Sequence, residues 1–275
     1  MPELPEVETT RRGIATLMTS EILQEFRIHE KRLRWPVPDE INTLVRNRRV
    51  IACDRRGKYL LIHFEHGTQI IHLGMSGSLR SVPLNEPRRK HDHAEWIFAK
   101  ARFLLHDPRR FGAILWHDNR HGPINTHPLL AHLGIEPFHP DFTPAYLYTH
   151  LQGRQQAIKQ ILLAGKIVVG VGNIYACESL FLAGIHPELP GAAISKHRAH
   201  KLHAAILQTL KAALEAGGST LRDYVNASGG PGAYFELHAH VYEREGQACH
   251  RCLRPIKRMT QGQRSTYYCS SCQRR

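Results

Sequence analysis

Four of the six cysteines in this 275-residue chain fall in two C-x-x-C pairs near its C-terminus, Cys249/Cys252 and Cys269/Cys272, with sixteen residues between the pairs. A segment this short cannot bury a core of its own, so something else must hold it. Four thiolates at that spacing suit one tetrahedral zinc, and because all four positions are filled the metal is structural. Between the pairs, Ile256–Met259 and Arg264–Tyr268 read as strands on either side of Gly262, which predicts a β-hairpin made rigid by the metal. The other two thiols, Cys53 and Cys177, stand singly among apolar neighbours and read as buried and inert. No secretory signal opens the chain, which favours metal over disulfides for the paired cysteines.

Hydrophobic periodicity divides the rest. Val7, Ile14, Leu17 and Met18 recur at helical spacing, predicting an amphipathic helix over about residues 5–18. From Glu21 to His117 the pattern becomes short β-like runs (22–29, 50–53, 59–64, 69–72, 95–99, 102–106 and 113–116) punctuated by glycine and proline. Many short strands between turn signals predict an antiparallel sandwich or barrel. A stretch rich in Gly and Pro, about Asp118 to Pro144, marks a boundary, and beyond it the period is helical: about 145–151, 155–164, 174–182 and a stripe from Leu202 to Leu214. Asn173 is a good N-cap residue, and Gly165 and Gly184 are placed to end helices. The expected fold class is α+β. It comprises an N-terminal helix and antiparallel β-sandwich (residues 1–130), a helical domain (131–240) and the zinc hairpin (241–275).

Lys and Arg outnumber Asp and Glu by 37 to 24, a net charge of +13. Such an excess favours a polyanionic partner, nucleic acid ahead of an acidic membrane surface. No apolar run approaches the ~20 residues a membrane span needs.

The N-terminus carries the most reactive group. With a small residue after it, Met1 is expected to be trimmed, leaving the secondary amine of Pro2 as the chain's tip. An α-amino group titrates near pH ~7.7–8.0, so a useful fraction of it is unprotonated at neutral pH and can attack an electrophilic sugar carbon. Glu3, one residue on, can supply or accept protons. A purely structural reading stands beside this one, since Pro5, Glu6 and Glu8 are also good chemistry for opening a helix. Elsewhere, Arg55-Arg56-Gly57-Lys58-Tyr59 is a basic turn, Gly74-Met75-Ser76-Gly77 places a methionine between glycines, and Asp107-Pro108-Arg109-Arg110-Phe111-Gly112 puts cations beside an aromatic ring. Gly170-Val171-Gly172-Asn173 leaves free backbone N–H groups at a helix start, where the dipole also favours an anion. Arg154 and Lys159 lie nearby as phosphate contacts, and Gly217 to Tyr234, rich in Gly and Ser, reads as a loop.

Taken together, Pro2-Glu3-Leu4-Pro5-Glu6-Val7-Glu8-Thr9, Lys58 on its turn, Met75 with Arg110 and Phe111, the string Lys166–Glu178 and Gln263–Cys269 within the zinc hairpin resemble the formamidopyrimidine-DNA glycosylase family over nearly the whole chain. The resemblance implies a helix-two-turn-helix in the helical domain and a bifunctional DNA glycosylase that removes oxidised purines through a Schiff base on Pro2. It implies catalytic roles for Pro2, Glu3, Lys58 and Arg264, and entry of Met75, Arg110 and Phe111 into the duplex. It also implies DNA contacts from His91, Arg154, Lys159 and Asn173, and base contacts from Ser219, Thr220, Arg222 and Tyr224. One zinc, double-stranded DNA as partner, a monomer and a cytoplasmic location complete the expectation. Two alternatives remain: an endonuclease VIII-like enzyme for oxidised pyrimidines, and a non-catalytic zinc-ribbon factor that binds nucleic acid.

Overall fold

A computed structural model describes residues 2–219 and 232–275. It divides into two compact units, Met1–Ala131 with Ala216–Tyr234, and His132–Glu215 with Phe235–Arg275. In the first, α1 (Leu4–Met18) precedes β1 (Ile22–Leu23), β2 (Glu25–Ile28), the short α2 (Ile41–Val45), β3 (Arg48–Arg49), β4 (Ala52–Arg56), β5 (Tyr59–Phe64), β6 (Gly67–His72), β7 (Ser78–Val82), β8 (Asp92–Ile97), β9 (Arg102–His106) and β10 (Ala113–Asp118). Two antiparallel four-stranded sheets, in the orders β10-β6-β5-β4 and β2-β8-β9-β7, form the sandwich, with β1 and β3 paired apart from both.

Its core explains the alternation. Leu60, Ile62 and Phe64 from one sheet and Trp96, Phe103 and Leu105 from the other are buried together, with Val7, Ile14 and Met18 of α1 in the same cluster. The Trp96 indole, buried among them, keeps a partner: its N–H donates to Gln69 Oε1 at 2.7 Å. Gly67 is required by packing, since a Cβ there would lie 2.2 Å from the Trp116 ring. Strand β7 escapes the periodicity because Arg80 is buried at its centre. It is tolerated there because its guanidinium pairs with Asp92 at 3.2 Å and Glu86 at 2.8 Å.

The second unit contains α3 (Pro144–Leu151), α4 (Ile158–Ala164), α5 (Asn173–Ala183) and α6 (Lys196–Glu215), then most of α7 (Tyr234–His238) and the hairpin β11 (Lys257–Gln261) and β12 (Arg264–Tyr268). Left-handed glycines close two helices as expected, Gly165 at φ 66° and Gly184 at φ 69°. Asn173 is not the cap: Gly172 holds that position and Asn173 is the first helical residue. Its amide instead donates to Ser265 O at 2.9 Å. Helix α5 is buried nearly throughout, and Cys177 and Phe181 on it share a cluster with Cys249, Ile256 and Cys269. Glu178 seats the chain leading to the hairpin, its carboxylate accepting the N–H groups of His240, Val241 and Tyr242 at 2.8, 3.0 and 2.8 Å. Among the described residues, no helix is long and apolar enough to cross a membrane.

Candidate active site and metal centre

Helix α1 begins immediately after the two residues expected to do chemistry. Pro2 and Glu3 are both buried, and Glu3 is the N-cap. The Glu6 carboxylate accepts the Glu3 N–H at 2.7 Å, one arm of a capping box that ties Pro2-Glu3 to the helix. Its other oxygen accepts both the N–H and the hydroxyl of Ser219, at 2.7 and 2.8 Å. Gly218, at φ 92°, lies so close to Glu6 that a Cβ would meet its Cγ and Oε1 at 3.1 Å. Glu6 therefore joins the Pro2-Glu3 tip to the start of the glycine-rich segment. Thr220, Arg222 and Tyr224, expected as base contacts, lie outside the described residues.

Two residues further along α1, Glu8 binds Arg11 at 2.9 Å and Arg55 of β4 at 3.1 Å, locking the helix onto the sheet. Burial acts to raise the Glu8 pKa, but the guanidinium groups of Arg11, Arg12 and Arg55 outweigh it and hold the carboxyl below its ordinary range. Lys58 follows Gly57 (φ 58°) in the two-residue turn between β4 and β5, where Arg56 pairs with Tyr59. The charge of Lys58 reaches His72, which lies directly across from Tyr59 in β6. Burial first, and then the cations Lys58 and Arg34, push His72 down to about 4. It is a neutral imidazole whose Nδ1 accepts the Gly74 N–H at 3.0 Å, leaving the proton on Nε2. Sequence reading passed over His72 as part of a strand.

Met75 sits on the β6–β7 loop and Phe111 on the β9–β10 loop, exposed to 42% and 44% although both are large and apolar. The two loops touch backbone to backbone: a Cβ on Gly74 (φ 67°) would lie 2.4 Å from the Phe111 carbonyl carbon. The cation beside Phe111 is Arg109, its guanidinium carbon 4.9 Å from the ring centroid. Arg110, expected to enter the duplex, adopts φ 56° and lies 3.5 Å from Glu30. Which of two adjacent arginines faces the ring depends on a left-handed backbone residue that periodicity cannot reveal. His91 is half-buried at the start of β8, near the rings of His93 and His106.

In the second unit, Arg264 is exposed at the tip of the zinc hairpin. Gly262 and Gln263, both at positive φ (55° and 61°), make the two-residue turn that sets Gln261 opposite Arg264. Ser265 O, the next carbonyl, is held by Asn173 Nδ2 at 2.9 Å and by Lys159 Nζ at 3.2 Å. Lys159 corrects an expectation. It is fully buried and gives its ammonium to Thr266 Oγ1 at 2.6 Å, so it braces the hairpin rather than facing a phosphate. Arg154 is exposed, its Nε donating to His150 O at 2.7 Å.

The sulfur atoms of Cys249, Cys252, Cys269 and Cys272 all lie within 4.8 Å of one another. Tetrahedral Zn–S bonds of ~2.3 Å require sulfurs roughly 3.8 Å apart. The Cys249–Cys272 and Cys252–Cys269 separations of 3.9 and 3.4 Å bracket that value. The Arg251 N–H also points at Cys249 Sγ, 3.4 Å away, as expected of a thiolate ligand. The four residues hold one structural zinc.

A β-sandwich carrying a buried Pro-Glu helix start, joined in one chain to a helical unit and a four-cysteine finger, defines the helix-two-turn-helix class of DNA glycosylases. Comparison with known proteins narrows the class. The formamidopyrimidine-DNA glycosylase N-terminal domain matches residues 1–114, the H2TH domain of the same enzymes matches 133–225, and a zinc finger found in FPG and IleRS matches 246–275. Formamidopyrimidine-DNA glycosylases of Bordetella petrii and Burkholderia lata are 61% and 50% identical, each aligned over 100% of both chains. Among solved structures, a Lactococcus lactis FPG point mutant in complex with Fapy-dG-containing DNA superposes with a TM-score of 0.92 at 31% identity, covering 100% of both chains. MutM (FPG) from Thermus thermophilus gives 0.88 at 37% identity, covering 99% of this chain and 98% of the other. The chain belongs to the formamidopyrimidine-DNA glycosylase family.

Proposed function

We propose that this protein is a base-excision repair enzyme that removes oxidised purines, 8-oxoguanine and formamidopyrimidines, from duplex DNA and then cleaves the abasic site. The observation that carries the reading is the buried Pro2-Glu3 start of α1, anchored through Glu6. A capping box is ordinary chemistry for a helix start, but the second oxygen of Glu6, bound to Ser219 at the edge of the segment expected over the base, is not something a helix start requires.

Freed of Met1, the Pro2 nitrogen attacks C1′ of the extruded nucleotide, the glycosidic bond breaks and the base leaves with its bonding electrons. Glu3 protonates the ring oxygen as the sugar opens, giving an iminium. The iminium acidifies the C2′ protons; loss of one expels the 3′ phosphate, and a second elimination expels the 5′ phosphate. Lys58 and neutral His72 donate to phosphate oxygens, and Arg264 assists the second elimination. Met75, Phe111 and an arginine of the same turn, the expected Arg110 or the Arg109 that lies over the Phe111 ring, enter the stack to offset an extrusion that costs a few kcal/mol. His91, Arg154 and Asn173 bind the backbone, and Ser219 opens the segment that covers the base. The site of action is the bacterial cytoplasm, on chromosomal DNA, and the enzyme works as a monomer. The Lactococcus lactis relative was solved with Fapy-dG DNA and with abasic-site DNA, which supports a purine lesion and the lyase step, and also with an oxidised-pyrimidine DNA, so the substrate series in the test includes both lesion classes.

Borohydride trapping with an 8-oxoguanine duplex and an oxidised-pyrimidine duplex tests this. A reduced adduct through Pro2, abolished when Met1 is retained and weakened in Glu3→Gln, is expected. A folded, zinc-loaded protein that traps no lesion DNA would leave only the nucleic-acid-binding alternative.

A further inference from the structure

Met75 and Phe111 stand on different loops, yet a wedge works only if its parts keep a fixed spacing. One buried side chain spans the two loops. Asp107, wholly inaccessible at the end of β9, accepts the Ser76 hydroxyl on Oδ1 at 3.1 Å and the Gly112 N–H on Oδ2 at 2.7 Å. Ser76 follows Met75 and Gly112 follows Phe111, so each oxygen holds the residue next to one exposed apolar side chain. The backbone of Asp107 is itself clamped: its N–H donates to His91 O at 2.9 Å, and its carbonyl accepts His93 Nε2–H at 2.9 Å and the Arg110 N–H at 3.1 Å. That last bond closes the turn in which Arg110 takes its left-handed conformation. Gly112 leaves no slack, because a Cβ there would meet Asp107 Oδ2 at 3.0 Å and His72 O at 2.9 Å.

We propose that Asp107 is the positioning residue that fixes the spacing of the Met75 and Phe111 loops and so preorganises the wedge. The proposal rests on the reading above that these residues enter the duplex. Asp107 touches neither sugar nor base; it acts through Ser76 and Gly112. A carboxylate suits the task because it accepts on both oxygens at once, and a buried charged acceptor makes stronger hydrogen bonds than a neutral one. Because the wedge is already set, binding energy need not be spent on ordering two loops while the stack opens.

The test compares two rates in the full-length, zinc-loaded protein: excision of 8-oxoguanine from a duplex, and strand cleavage at an abasic site in a single-stranded oligonucleotide, which has no stack to open. Asp107→Ala is expected to lower the ratio of the first rate to the second by about tenfold or more, and Ser76→Ala, which loses one arm, by a smaller factor. Asp107→Asn should restore most of the ratio, its amide oxygen accepting from Gly112 and its amide nitrogen donating to Ser76 Oγ. A 2-aminopurine opposite the lesion should brighten on binding wild type and Asp107→Asn, and far less with Asp107→Ala. An unchanged ratio in Asp107→Ala, or an equal fall in both rates, overturns the proposal. If Asp107→Ala does not fold, Ser76→Ala decides, and an unchanged ratio there overturns it equally. A wild-type protein inactive on both substrates would instead defeat the glycosylase reading, and the wedge assignment with it.

Discussion

Glu6 touches no substrate in the mechanism above, yet its loss should be among the most damaging single changes in the first unit. Its carboxylate is 1% exposed and accepts three donors at 2.7–2.8 Å: the N–H of Glu3, the N–H of Ser219 and the Ser219 hydroxyl. Glu6→Ala leaves all three donors without their acceptor. Each unsatisfied buried donor costs about 1–3 kcal/mol, so the low end of the sum is about 3 kcal/mol. For a unit of about 150 residues, that lowers the melting temperature by roughly 6–12 °C. Glu6→Gln keeps the shape but sets an amide N–H₂ against one of the donors, and should fall between wild type and alanine. Differential scanning calorimetry reads the stability, and single-turnover borohydride trapping reads the chemistry. Trapping should slow more than partial unfolding at the assay temperature accounts for, because the tip bearing Pro2 loses its anchor. A Glu6→Ala protein with wild-type melting and wild-type trapping would refute the reasoning, since the three hydrogen bonds would then carry neither stability nor position.

Removing zinc with a chelator, or replacing Cys272 by serine, should abolish tight DNA binding in fluorescence anisotropy while calorimetry still shows the sandwich melting; unchanged affinity would contradict the hairpin's role. Lys159→Met removes the donor to Thr266 and Ser265 beside Arg264. It should let the β-elimination product accumulate over the δ-product on a sequencing gel, and an unaltered product ratio would count against the brace. Glu8 has a folded-state pKa below its ordinary value of 4.5, so its stabilisation is full above that value and is lost as pH falls through the folded pKa. Glu8→Gln should therefore melt earlier than wild type at neutral pH, and the gap should close in acid; a gap independent of pH would disprove the linkage.

Local chemistry was legible in the linear chain wherever a single segment sufficed. The zinc ligands, the turn at Gly262, the caps at Gly165 and Gly184, and strands 59–64 and 102–106 needed only spacing and propensity. The reach of Glu6 to Glu3 was also available, as an acidic residue three places after the cap, though its second task at Ser219 was not. What misled was burial of charge. Lys159 reads as a surface cation, and it is inside because hydroxyl and carbonyl acceptors distant in sequence, Thr266 Oγ1 and Ser265 O, take its ammonium.

The sequence alone determined the parts: a Pro-Glu pair ahead of the first helix, a strand-rich half, a helical half and four thiolates for zinc. Each follows from periodicity, from turn residues or from the bond-forming capacity of neighbouring side chains, all of them properties of short stretches. Only the tertiary structure decided that Arg109 rather than Arg110 faces Phe111, that Lys159 braces a hairpin, and that Glu6 and Asp107 each join two remote segments. Such pairings form when the chain must satisfy every buried donor and charge at once, and that requirement acts on the folded whole.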